Sequence, residues 1–458
     1  MHQEPESSVS LYGGSSPVSE QDTAIRAGRV PVAVYGLGKM GLPLATVLAE
    51  VTGNTIGVDV DASVVGAVND GDCPVTGEPG LPDALRTVVA DGSLVATTEG
   101  DAAADSATVH VVIVPTLVED GSPDLTTLQA AVSAVASGLD SGDLVCIEST
   151  VPPGTCDGVV TPQLVAESDC ERGEFGVAFC PERTASGRAL RDVRGAYPKV
   201  VGGVDAESTL AAKDLYDVVT DNEVHTVGDA TTAECVKVFE GVYRDVNIAL
   251  ANELATLAEE LGIDVYEAIE TANAQPYCDL HRPGAGVGGH CIPYYPYFLI
   301  DTCDTGTPLL WRARRINDSM PGYTVGKVCE GLRENGVALS DATVAVLGFA
   351  YRPGVDETRE SPGVAIASLL RDAGATVVGV DPVVDLDSVD VQPAAVEDLP
   401  EVDLDALVLA TAHDEFDRID WSEFESTVLV DGRNVIDESG DVGTPIRTIG
   451  VGGQDSSR

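Results

Sequence analysis

Apolar residues in this chain come in short runs separated by windows of three- and four-residue periodicity. From Pro31 the order is a buried run "PVAVYG", a helical window "LGKMGLPLATVLAEV" and a second run "NTIGVDVD". "ATVHVVIVPT", "LVCIESTVPPGT", "EFGVAFCPE" and "PKVVGGVD" continue the series to about residue 205. Strands alternating with helical windows predict a parallel, doubly wound α/β sheet. Then the texture changes. Thr231 to Gln275 contains no proline, and Val236, Phe239, Tyr243, Val246, Leu250, Leu254, Leu257 and Leu261 recur at helical spacing. That pattern predicts one long amphipathic helix and a spine for dimer contacts. After about residue 325 the alternation returns in "ATVAVLGFAY", "GATVVGVDP", "LDALVLATA" and "STVLVDGRNV", and the first turn of this second α/β region holds only Gly348.

Charge narrows the setting. The 458 residues carry 75 acids against 26 bases, a net charge of −49, and only five of the bases are lysine. Spread through folded-looking sequence, this predicts a solvated acidic shell suited to a salt-rich, halophilic cytoplasm, where the Debye length falls to a few Å. No basic stripe exists to neutralise phosphates, so nucleic acid is not an expected partner. No window offers the roughly 18 apolar residues of a membrane span, and the first residues lack the apolar core of a signal peptide. The ten cysteines show neither CxxC nor zinc spacing, so no metal is expected and reduced thiols are.

Two glycine-rich stretches carry candidate chemistry. "YGLGKMG" places Gly36, Gly38 and Gly41 as GxGxxG between a strand and a helix, and Asp59 closes the next strand 18 residues beyond Gly41. This is the dinucleotide fingerprint: glycines for the turn and close approach, a helix N-terminus for the pyrophosphate, a carboxylate for the ribose hydroxyls. The carboxylate repels a 2′-phosphate, so NAD is expected rather than NADP, with Leu37 and Met40 completing the loop. The second stretch, "RPGAGVGGHCIPYYP", delivers Cys291 at the end of Gly284, Gly286, Gly288 and Gly289. Such glycines let amides approach an anionic or sugar ligand, and a thiol there can attack an aldehyde. For most cysteines of the chain a buried structural role is the expectation. The organisation read from these features is a tail over 1–28, an NAD-binding Rossmann domain over 29–215 and a central helical domain with the Cys loop over 216–325. A ligand-binding Rossmann-like α/β domain over 326–445 and a tail over 446–458 follow.

Nine motifs in order then make the chain resemble the UDP-glucose/GDP-mannose dehydrogenase family across nearly all of residues 30–440. They are "GLGKMGLPLA", "VPT", "ESTVPPGT", "CPERTASGRAL", "ECVKVFEGVYRDVNIALANE", "GAGVGGHCIP", "RRINDSMP", "GFAYRPGVDETRESP" and "DGRNV". The resemblance implies oxidation of a sugar C6 alcohol to an aldehyde, capture by Cys291 as a thiohemiacetal, a second oxidation to a thioester, and hydrolysis to a uronate. It implies Lys237 as the oxyanion's cation and Thr150 and Glu182 in water handling and acid–base work. Thr116, Thr150 and Arg359 are implied at the cofactor. Arg183, Arg244, Arg282, Gly288, Arg352 and Arg433 are implied at the UDP-sugar, where bidentate cations offset the acidic field.

Two positions depart from the family. Gly241 stands where it carries Asn, and Tyr295 where it carries Asp. "PER…GRAL", "PKVVGG" and "GVGGHCIP" resemble the N-acetylhexosamine branch, with UDP-N-acetyl-D-mannosamine favoured over UDP-N-acetylglucosamine or UDP-glucose. A two-electron hydroxyacid dehydrogenase, which needs no cysteine, is one alternative. A nucleotide-sugar binder that produces no NADH, favoured by Gly241 and Tyr295, is the other.

Overall fold

The computed structural model describes residues 9–14, 18–119, 121–436 and 444–452. The chain forms two compact units: one runs through Phe239 and takes in Tyr297–Thr302, and the other comprises Glu240–Pro296 and the chain from Cys303 onward.

The first unit is built on eight strands: β1 (Val32–Tyr35), β2 (Thr55–Val58), β3 (Leu94–Thr97), β4 (Val109–Val112), β5 (Leu144–Ile147), β6 (Gly176–Phe179), β7 (Lys199–Gly203) and β8 (Val224–Thr226). Their order is β8-β7-β6-β5-β4-β1-β2-β3, parallel except at the antiparallel β6–β7 pair. Strand order therefore reverses between β1 and β4, the switch point where doubly wound sheets bind ligands. β1, β4, β5 and β6 are buried at every position, as strands covered on both faces must be.

The segment 1–28, expected as a tail, is part of this unit wherever it is described. Leu11 and Tyr12 are buried, and Tyr12 packs where a Cβ on Gly176 would otherwise project. Helix α1 (Val18–Arg26) buries Ala24 and Ile25. Four apolar side chains in a polar stretch suffice to dock it, a signal that average composition hides. Residues 1–8 and 15–17 lie outside the described part.

The second unit holds β9 (Thr343–Leu347), β10 (Thr376–Val380), β11 (Gln392–Pro393), β12 (Ala406–Leu409), β13 (Val428–Asp431) and β14 (Ile446–Thr448). The order is β11-β10-β9-β12-β13-β14, all parallel, so the doubly wound plan occurs twice. The expected tail from 446 begins as strand β14, and Ile449 behind it is fully buried. Its last residues, 453–458, lie outside the described part.

Helix α2 (Gly41–Thr52) follows β1, and Gly53 ends it in the left-handed conformation (φ 66°). Helices α3 (Ala206–Val219), α4 (Ala230–Leu261) and α5 (Pro308–Glu334) are the other long ones that matter here. The expected boundaries at 215/216 and 325/326 fall inside α3 and α5, whereas the two compact units part within α4, between Phe239 and Glu240. The long helix exists, and most of the large apolar residues read as a spine for dimer contacts lie on its outer face. Ala233, Val238, Ala249, Ala251, Ala255 and Ala258 are buried, while Phe239, Tyr243, Leu250, Leu257 and Leu261 are between 44% and 69% exposed. Small residues line the packed face because they let neighbouring backbone approach; the large apolar stripe faces outward.

Candidate active site

In the first unit the three fingerprint glycines have three distinct surroundings. Gly36 adopts φ 102°, and a Cβ there would collide with the Ile113 backbone just past β4. A Cβ on Gly41 would lie 2.9 Å from the Gly36 carbonyl carbon, so this glycine sets the approach of α2 to the turn. Gly38 is exposed and has nothing within 4 Å of its Cβ position, which is the open side a pyrophosphate needs. Leu37 differs from the expectation: its N–H points at Asp59 Oδ2, 2.8 Å away, and its side chain packs beneath Gly57. Asp59 Oδ1 accepts from Asp61 N–H at 3.0 Å. Two amides use about half of the carboxylate's acceptor capacity and leave the rest for ribose hydroxyls. The residues present thus fit a dinucleotide. Thr116 and Thr150 come together, Thr116 Oγ1 donating to the Thr150 carbonyl at 2.5 Å.

The structure also joins Glu182 and Lys237. Lys237, 8% exposed, donates to the Glu182 carbonyl, and its ammonium lies 3.5 Å from Glu182 Oε2. Burial alone would raise the Glu182 carboxyl. The Lys237 charge and the Thr184 hydrogen bonds outweigh it and hold the group below the usual carboxylate range. Beside this pair stands a buried group that the sequence pattern did not predict. Lys199 donates to both Glu148 oxygens at 2.7 Å, to the Cys180 carbonyl at 2.8 Å and to the Pro181 carbonyl at 3.2 Å. Tyr216 donates to the same Glu148, and Glu182 N–H reaches the Glu148 carbonyl at 3.3 Å. Lys199 therefore clamps the segment that delivers Glu182, and its rarity as one of five lysines was the available signal. Met40, Glu148, Glu182, Arg183 and Lys199 line one open cleft. Arg183 Nη1 is turned onto the Pro198 carbonyl at 3.0 Å.

In the second unit Cys291 is exposed and in no disulfide. The glycines before it face the protein's own chain rather than an open cradle. A Cβ on Gly288 would lie 2.7 Å from the Glu360 carbonyl and 2.8 Å from Tyr351 Cβ. Gly289 (φ 87°) abuts the Tyr351 ring, and its N–H donates to the Arg359 carbonyl at 2.9 Å. Gly284 abuts Arg433 Nη1. Close packing against residues 351–360 and Arg433 explains these glycines, which corrects the expectation of amides open to ligand.

A buried polar relay anchors the start of the loop. Gly284 N–H donates to Asn252 Oδ1 (3.0 Å), Asn252 Nδ2 to Asn317 Oδ1 (2.9 Å) and Asn317 Nδ2 to Asp245 Oδ1 (2.8 Å). Arg314 Nη1 closes the relay on Asp245 at 2.5 Å. Its members sit on the inner faces of α4 and α5, where buried polar groups must be paired.

The expected arginines of this unit differ in their surroundings. Arg433 donates through Nε to the Ala410 carbonyl at 2.6 Å, and burial pulls its guanidinium below its usual value. Arg359 is exposed, with Nε 3.5 Å from Glu357 Oε1. Arg244, Arg282 and Arg352 are exposed as well. His290 Nδ1 lies 3.6 Å from the same Glu357.

The turn after β9 copies the first fingerprint with its ribose position filled. Gly348 has φ 90°, and Asp381, at the end of β10, takes the place that Asp59 has in the first sheet. Asp381 accepts four amides, from Phe349, Ala350, Val383 and Val384 at 2.6–2.9 Å, and lies 3.2 Å from His413 Nε2. Its acceptor capacity is spent. Burial opposes ionisation, yet His413 and the amides lower the carboxyl to about 2. A depressed folded value stabilises the protein above the ordinary value of 3.8 and loses that stabilisation as pH falls towards 2. At 1.36 kcal/mol per unit the contribution is about 2 kcal/mol. Asp381→Asn should therefore destabilise the protein by at least that much at pH 7 in denaturant titrations. The gap to the unchanged protein should narrow below about pH 4; a gap independent of pH would refute this account.

The NAD binding domain of the UDP-glucose/GDP-mannose dehydrogenase family matches residues 30–220, the central domain of that family 231–319, and its UDP binding domain 345–438. A UDP-N-acetyl-D-mannosamine dehydrogenase of Pyrococcus horikoshii is 37% identical over 426 residues, 92% of this chain and 99% of that protein. A solved UDP-D-ManNAc dehydrogenase structure from the same organism aligns with a TM-score of 0.86 at 37% identity, over 92% of this chain and 100% of that one. An NDP-N-acetyl-D-galactosaminuronic acid dehydrogenase of Ralstonia solanacearum is 34% identical over 430 residues, 90% of this chain and 98% of that protein.

Proposed function

The chain belongs to the UDP-glucose/GDP-mannose dehydrogenase family, and from that premise we propose that it oxidises the C6 alcohol of a UDP-N-acetylhexosamine, UDP-N-acetyl-D-mannosamine first, to the uronate. The observation that carries the thioester route is Cys291: an exposed thiol at the end of a loop packed closely against its own chain. Bound NAD⁺ supplies the hydride acceptor for both oxidations. Gly36, Gly38, Gly41 and Asp59 hold it, with Met40, Thr116, Thr150 and Arg359 assigned to the same role and Leu37 acting through its hold on Asp59.

The resemblance to the family supplies the residue roles proposed here. Cys291 adds through sulfur to the aldehyde carbon, forming a C–S bond and placing negative charge on oxygen. Lys237 offsets that charge. Glu182, kept ionised by Lys237, accepts a proton from the water that cleaves the thioester, and Thr150 orients that water. The α/β domain over 326–445 is assigned to the UDP-sugar, with Arg183, Arg244, Arg282, Arg352, Arg433 and the Gly288 loop offsetting the diphosphate or shaping its seat. Relatives named for manno- and galacto-configured sugars stand at similar identity, so the choice of epimer rests on the motifs of the "PER" segment.

The setting proposed is a salt-rich cytoplasm, from the net charge of −49. A homodimer is proposed from the outward apolar stripe of α4, and light scattering in molar KCl reads it directly. The decisive assay is NADH formed per UDP-N-acetyl-D-mannosamine consumed in that buffer. Two NADH per sugar is the expected result. One NADH with sugar held on Cys291 would place a defect at the second oxidation, two NADH per protein with the sugar held as a thioester would place it at hydrolysis, and none with any of the epimers would sink the proposal in favour of a binder.

A further inference from the structure

Gly241 and Tyr295, the two departures from the family pattern, meet in the structure. A Cβ built on Gly241 would lie 2.9 Å from Tyr295 Cγ and 3.0 Å from Tyr295 Cβ, and nearer still to Cδ2. Cβ atoms do not approach carbon that closely, so the ring occupies the volume any side chain at 241 would need. Both residues are buried, Tyr295 to 8% exposure. The contact bears on the thiol through the backbone. Tyr294 and Tyr295 both donate their N–H to the Cys291 carbonyl, at 3.1 and 3.0 Å, so Cys291–Tyr295 is one closed turn. The seat of the ring at one end of the turn therefore sets where its other end lies. On the far side, Gly289 N–H holds the Arg359 carbonyl and Tyr294 Oη lies 3.4 Å from Glu360 Oε1.

We propose that Tyr295, seated in the notch left by Gly241 on α4, is a positioning residue that fixes the Cys291 thiol for its reaction. The proposal rests on Cys291 being the nucleophile. Packing of a ring against a glycine takes the place of two polar side chains, and each of the two residues is tolerable only with the other. The ring itself does the positioning, and the phenol oxygen is not required for it.

The test is a cycle of Gly241→Ala, Tyr295→Ala and their double variant, with Tyr295→Phe as the conservative member. Two quantities are read on the full-length protein in molar KCl. One is kcat with KM for the sugar. The other is the rate of Cys291 alkylation by iodoacetamide across pH values from about 6 to 10, followed on its own peptide with exposed Cys303 as internal reference. Gly241→Ala is expected to lower kcat on the order of tenfold or more, and to change Cys291 alkylation about threefold or more while Cys303 is unmoved. Tyr295→Phe should stay within about twofold in both. In the double variant the alanine at 241 should add little to the loss caused by Tyr295→Ala, because neighbouring changes that relieve one clash are not additive. An unchanged Gly241→Ala protein, or independent, multiplying losses in the double variant, would overturn the proposal. So would a Tyr295→Phe variant as impaired as Gly241→Ala, since the hydroxyl would then be acting chemically. Alkylation needs no sugar, so coupling seen there in a protein that oxidises none of the sugars would leave the positioning intact and remove only the proposed activity.

Discussion

Cys291→Ser should abolish uronate formation, with a loss on the order of 10³-fold or more and no more than one NADH per sugar. A thiolate is a strong nucleophile near neutral pH, whereas a serine hydroxyl needs an adjacent general base. Because Cys291 is exposed, the substitution should change stability by no more than about 0.5 kcal/mol. Lost activity would then reflect chemistry rather than unfolding. The check is product analysis with NADH counted against sugar. Continued formation of two NADH by the serine variant would show that a hydrated aldehyde is oxidised directly and that no thioester forms.

Lys237→Met should have the second-largest effect. Removing a buried donor that stabilises an oxyanion costs about 2.7–4 kcal/mol, or roughly 10²–10³ in kcat. This lysine has a second effect through Glu182. With the ammonium gone, burial dominates and the Glu182 carboxyl rises, so the acid limb of the kcat profile should move to higher pH. Stability follows the same sign. A carboxyl held low by Lys237 stabilises the fold above its ordinary value, and the variant forfeits that contribution at neutral pH. Loss of one member of a buried pair costs about 3–5 kcal/mol, so melting in molar salt must accompany the kinetics. A folded variant with reduced kcat and an unmoved acid limb would exclude Glu182 as the titrating base.

Gly36, Gly38, Gly41 and Asp59 are legible in the chain because a dinucleotide turn is local: all its geometry lies within one strand, one turn and one helix start. Both doubly wound sheets follow from the alternation of buried runs and helical windows, which requires only local periodicity. The glycines before Cys291 are visible as a cluster, but the pattern misleads about their purpose. Glycine marks a close approach without saying what approaches, and here it is Tyr351, Glu360 and Arg433. The small-residue face by which α4 packs was not visible for a related reason, since periodicity reports which residues share a stripe and not which stripe meets a neighbour.

The sequence by itself thus determined the fold class and the dinucleotide turn, since both are written in residue type and spacing, and its resemblance to the family pointed to Cys291, Lys237 and Glu182. Tertiary structure alone decided the Lys199–Glu148–Tyr216 clamp behind Glu182, the Asn252–Asn317–Asp245 relay behind Gly284 and the seating of Tyr295 on Gly241. These pairings join residues 32 to 72 positions apart, and in the case of Glu148 and Tyr216 68 positions. Only the fold, by bringing separate strands and helices within hydrogen-bond and van der Waals distance, chooses such partners.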